Sequence, residues 1–187
     1  MQKLWHNAKA MRARKWGERT VLEEFVKEVL YAFPLLDTVE KDYQEHIKNK
    51  AVLSYKSNLT AEKLAEYLAH EILEKQRFVW LKERVREALD KLDGLEKTMV
   101  AIRYFGKKRK EKLPKDTLLG KWGERKYFRE QERLGEKLGG LLAAAGVTRE
   151  IFEEWFLPTE LFATVHKYFQ KRTQGMTSRE RKWLEED

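Results

Sequence analysis

The chain has 187 residues, 42% of them apolar and 37% charged, with a formal net charge of +8. That length suits one domain, or two small ones sharing a linker helix; only three prolines and ten glycines in so charged a chain favour helices with polar outer faces, and six tryptophans with nine phenylalanines argue against disorder. The lack of cysteine excludes disulfides and Cys-ligated zinc, no run of about 18 apolar residues marks a membrane span, and the basic start MQKLWHNAKAMRARKWGERT has no apolar h-region, so a cytoplasmic protein without a secretory signal is expected.

Residues 20–33 place Val21, Leu22, Phe25, Val29 and Leu30 on one helical stripe, which Pro34 is expected to end. Asp37 with Glu40 resembles a capping box, opening a helix whose apolar stripe continues through Tyr43 and Ile47. Val52 to Tyr55 is the sole candidate strand, too short to build a sheet. Ser57-Asn58-Leu59-Thr60 reads as a turn with Thr60 as N-cap. Leu64, Tyr67, Leu68 and Ile72 then repeat at helical spacing, and a further helix over 78–92 points Trp80, Leu81, Val85, Leu89 and Leu92 inward. Asp93-Gly94 breaks it. Residues 95–105 carry Leu95, Met99, Ile102 and Phe105 on one side, with Gly106 as the stop. After the basic run 107–112, Pro114 to Gly120 suits a short helix, and a long helix runs from about Glu124 to Ala145 and stops at Gly146. Thr148 caps a helix over 149–156. Residues 159–170 are helical again, with Leu161, Phe162, Val165 and Phe169 inward, and Thr177 with Glu180 suggests one more cap before a charged tail.

The pattern predicts an all-α protein, a multi-helix bundle containing a helix-turn-helix-like hairpin. It divides into an N-terminal bundle over 1–77, the hairpin segment over 78–146, and C-terminal helices with a charged tail over 147–187. Lys15-Trp16-Gly17-Glu18-Arg19 recurs as Lys121-Trp122-Gly123-Glu124-Arg125, which reads as a shared way of starting a helix. Gly135, Gly139 and Gly140 are costly inside a helix and are read as allowing close packing, against helices 149–170 or across a dimer.

Positive charge is unevenly spread. Residues 101–137 hold 13 Lys or Arg against 6 Asp or Glu, nearly the whole surplus of the chain. Concentrated charge on a helical hairpin is the footprint expected of a nucleic-acid surface. Lys107, Lys108, Arg109 and Lys110 would reach phosphates, while Arg125, Lys126, Arg129 and Arg133 stand near the start of a helix, where base edges and phosphates are read. Tyr127 and Phe128 are read as packing residues rather than as a stacking platform.

Residues 81–142 resemble region four of bacterial sigma factors and the related phage regulators of late transcription. The stretches carrying the resemblance are Leu89–Gly106 and Glu124–Leu142. It implies a DNA-contacting recognition helix, whose contacts would map onto Arg125, Lys126, Arg129, Gln131 and Arg133. Double-stranded DNA is the partner this implies; the basic hairpin also suits RNA polymerase or another acidic protein, the helical glycines allow a second copy of the chain, and no membrane partner is expected.

No phosphate-cradling glycine loop or nucleophile elbow points to catalysis, and no enzyme activity is expected. Glu66 with His70 and Asp42 with His46 share helical faces, but zinc needs three or four ligands, so no metal or other cofactor is expected. The competing reading is a helical adaptor that docks an acidic partner, for which Trp5, Trp16 and Phe156 would form an exposed apolar patch.

Overall fold

Backbone hydrogen bonding closes within helices wherever the chain is described, namely residues 23–53, 60–105 and 122–174 of the computed structural model, and no strand occurs among them. Helix α1 spans Glu24–Ala32 and buries Val26, Val29 and Leu30. Pro34 does not end the helical path as expected. It sits in a 3-10 turn, Phe33–Leu35, that passes directly into α2, Leu36–Leu53; the fixed φ and missing N–H of proline suit the opening of such a turn. The expected capping box at Asp37 and Glu40 is therefore absent, because this helix has no free N-terminus there. Both carboxylates instead hold the Lys82 ammonium, at 3.1 Å for Asp37.

Thr60 caps α3, Ala61–Asp90, its hydroxyl accepting from the Lys63 amide at 3.4 Å. This helix runs unbroken through the expected boundary at 77 and 78. Its first half packs chiefly against α2, so Leu64, Tyr67 and Leu68 are half-buried and Ile72 is 43% exposed, whereas Phe78, Leu81, Val85 and Ala88 enter the core. Asp93 then caps α4, Gly94–Tyr104, in a reciprocal box with Glu96. Helix α5 spans Glu124–Ala144 and ends in a Schellman turn: the Val147 amide reaches the Leu142 carbonyl at 2.9 Å, the Gly146 amide reaches Ala143 at 3.0 Å, and Gly146 takes φ +87°. Thr148 caps a single turn, α6 (Arg149–Ile151), which widens into a π turn over Phe152–Phe156, closed by the Leu157 amide on the Phe152 carbonyl. Helix α7 covers Glu160–Gln174.

One buried cluster draws on α1, α3, α4, α5, the π turn and α7. The expected divisions after 77 and 146 therefore do not separate cores: Leu30, Phe78, Leu142 and Phe156 share one interior. Gly135, Gly139 and Gly140 face an open space shared with the first residues of the C-terminal helices, Val147 to Glu150. With α1 they line an open groove of about 580 Å³. A Cβ at Gly140 would meet no atom within 4 Å. Gly140→Ala is thus expected to raise stability by roughly 0.5–1 kcal/mol through helix propensity, seen as a higher urea midpoint at unchanged slope.

Glu28 is the chief polar intruder in this core. It is 1% exposed, with Oε1 2.7 Å from Nδ1 of His166 and Oε2 unpartnered among the described residues. Gln170 in turn lies 2.7 Å from Nε2 of the same imidazole, so the pair joins α1 to α7. Burial, only partly offset by the His166 contact, pushes the Glu28 carboxyl above its ordinary 4.5. The folded state therefore binds this proton more tightly than the unfolded chain. Its stabilising contribution is complete below pH 4.5 and fades as pH rises through the elevated value. Glu28→Gln should remove that component, so the difference in stability between variant and wild type changes across this window in chemical denaturation; a constant difference across it would refute the assignment.

Candidate nucleic-acid interface

Helix α5 is positioned by an inward stripe of Tyr127, Leu134, Leu138 and Leu142, all buried. Its entry is fixed by Trp122, which packs against the core, and by Gly123 at the N-cap, whose carbonyl accepts from the Lys126 and Tyr127 amides at 3.0 and 3.1 Å. Gly123 has no side chain to cap the first turn, leaving the orphan N–H groups at this end without a side-chain acceptor. Such an end favours an anion.

Gln131 belongs to the inward stripe and not to the exposed face assigned to it from sequence. It is 6% exposed, donates to the Tyr127 hydroxyl at 3.0 Å and accepts from Nη1 of Arg103 at 3.2 Å. The spacing Tyr127, Gln131, Leu134, Leu138 is that of one helical face, which was the available signal. Arg103, absent from the sequence-based set, also lies over the Tyr104 ring at 5.6 Å. Burial pushes the Tyr104 phenol above its ordinary 10.0, so it stays a neutral hydroxyl. A second tie between α4 and α5 joins Lys137 to both Glu96 oxygens at 2.6 and 2.8 Å.

The opposite side of α5 presents Arg125, Lys126, Arg129 and Arg133, all exposed. At about 100° per residue these four fall within roughly a 100° arc, facing away from the buried stripe. Lys126 places its ammonium 4.6 Å from the Trp122 ring centroid, a cation–π contact that holds it at the mouth of the helix. Arg133 pairs with Glu130 at 3.3 Å, and its side chain remains 69% exposed. Arg125 and Arg129 have no ion pair or hydrogen bond among the described residues. Glu132 borders the arc and Glu136 ends it, so the basic surface is confined to the first three turns.

Lys107, Lys108, Arg109 and Lys110 lie outside the described residues, as do Pro114–Gly120, the first Trp-Gly repeat, and Trp5 and Trp16. Phe156, the third member of the patch expected for an adaptor, is fully buried beside Phe78 and Phe162 and cannot belong to one. His46 lies 2.6 Å from the Tyr67 hydroxyl, and among the described residues no group of three metal-ligating side chains converges. No described helix is long and apolar enough to cross a membrane.

Comparison with known proteins adds no constraint. No family model, curated protein or solved structure matches this chain. What the α5 face can do therefore follows from its own chemistry.

Proposed function

We propose that this chain binds double-stranded DNA through the first three turns of α5 and acts in transcription. The observation that carries the reading is the segregation of α5: four exposed cations on one arc, two of them unpaired among the described residues, backed by a rigidly buried stripe. Exposed guanidinium groups without internal partners keep their full capacity for phosphate oxygens and guanine edges. Packing of Tyr127, Gln131 and Leu134 fixes the direction in which they project, and Trp122 fixes the start of the helix. The link to transcription rests on the likeness of Leu89–Gly106 and Glu124–Leu142 to sigma region four.

Fluorescence anisotropy with labelled random-sequence duplex tests this directly. Four phosphate contacts correspond to a slope near −3.6 in log affinity against log salt, so affinity should fall about a hundredfold between about 50 and 200 mM salt. No binding at the lower salt would sink the reading. A second reading, an adaptor docking an acidic protein such as RNA polymerase, uses the same four exposed cations; it predicts capture of the polymerase with no affinity for duplex.

A further inference from the structure

The α2–α3 hairpin is an arm with one uncovered side. From Asp37 to Leu73 no described residue is fully buried, because over this length the two helices pack chiefly against each other. Ile72, Leu73 and Val52 are 43%, 47% and 65% exposed. Two helices cover one face each, and a second layer is needed to bury the rest.

That uncovered side contains a groove of about 470 Å³ between α2 and α3. Ile47, Ile72, Val79 and Trp80 supply its apolar surface, and Gln44 and Gln76 also line it. Its charges are sorted along its length. Glu83 stands at the end nearer the core, beside the Lys82–Glu40 clasp, and Lys75 and Lys48 stand toward the other. Glu83 and Lys75 are eight residues apart on α3, about 12 Å, too far to neutralise each other. Neither they nor Lys48 form an ion pair among the described residues.

A surface with an apolar middle and opposite charges at its two ends is complementary to itself turned by half a revolution. We infer that this groove is a homodimer interface, in which two arms pack antiparallel about a twofold axis near Val79 and form a four-helix bundle. Glu83 of each copy then faces Lys75 of the other, and the two symmetry-related pairs form at once as an isologous contact requires. Ile72 and Val79 close the seam with the geometry of bundle packing. A partner of uniform charge would meet one end favourably and be repelled at the other, which favours a second copy over an acidic or basic peptide. The inference does not depend on the DNA-binding reading, because the arm carries none of the α5 cations.

Sedimentation velocity of the full chain, without nucleic acid, between about 1 and 100 µM tests it, since self-association depends on protomer concentration. A dimer is expected in the wild type. Lys75→Glu and Glu83→Lys should each weaken it at least about tenfold, because symmetry turns either change into two like-charge contacts. The combination of both should restore it. Ile72→Asp, at a position exposed in the monomer, should leave the helical circular dichroism intact and give a monomer. A wild type that stays monomeric throughout overturns the inference. So does a dimer indifferent to Ile72→Asp and both reversals, or reversals that fail to rescue one another.

Discussion

Phe156→Ala is expected to cost about 3–5 kcal/mol, the range for truncating a fully buried aromatic ring. The side chain is fully buried in the π turn and meets Phe78 and Phe162 edge-on, each at 5.8 Å between centroids, with Trp80 stacked at 6.4 Å. No small rearrangement fills such a gap. Phe78 and Phe162 are themselves pinned from α3 and α7, and Phe162 is wedged edge-on against Phe152 at 5.1 Å. Single domains carry about 5–15 kcal/mol in all, so the variant should sit near its unfolding threshold. Urea unfolding followed by tryptophan emission is a sensitive measurement, because Trp80 and Trp155 both border the site. A loss below about 1 kcal/mol would mean the cavity collapses freely, and that the ring does not hold α3 to the C-terminal helices. The effect reaches the candidate interface too. Trp80 also lies 3.8 Å from the position a Cβ on Gly146 would take, so the residues around Phe156 hold the end of α5 in place.

Local chemistry was readable where it needed no distant partner. Thr60, Thr148 and Gly146 act as the caps and stop that their positions suggest. The two Asp-x-x-Glu patterns show where such reading ends. Asp93 and Glu96 form the reciprocal box. Asp37 and Glu40 carry the same signature but are fed by a 3-10 turn and taken by Lys82, 42 residues beyond Glu40. Nothing within four residues distinguishes the two cases. The continuity of α3 was hidden for a related reason. Its apolar stripe rotates by about a quarter turn between Ile72 and Phe78, because the first half faces α2 and the second faces the core. Read as periodicity alone, that phase shift looks like the end of one helix and the start of another. Glu28 was invisible because its burial depends on His166, 138 positions away. On α5, the division between cations and packing residues was legible at every position except Gln131, whose polarity masked its place in the inward stripe.

Arg125→Ala with Arg129→Ala should weaken duplex binding at least about tenfold at moderate salt and flatten the salt dependence by close to two units, about 0.9 for each phosphate no longer neutralised. The reason for choosing this pair is structural. Both side chains are exposed and unpaired among the described residues, so their removal leaves no buried group stranded. Folding stability should change by less than about 0.5 kcal/mol for each, the usual range for surface substitutions. Lys126 and Arg133 are less clean choices, since one rests on Trp122 and the other pairs with Glu130. A control must remove the same charge elsewhere, because any loss of two cations weakens attraction to a polyanion at long range. Lys41 and Lys63 are exposed on α2 and α3, away from α5, and their double alanine variant provides it. Equal losses in the two double variants would reduce the interaction to net charge and remove α5 as the reader. A loss confined to Arg125 and Arg129, with the slope reduced, would locate the binding surface on the first turns of that helix. Selection of a preferred sequence could then begin from the wild type and be checked for relaxation in the variant, since removing a base-reading group relaxes discrimination whereas removing a phosphate-binding one does not.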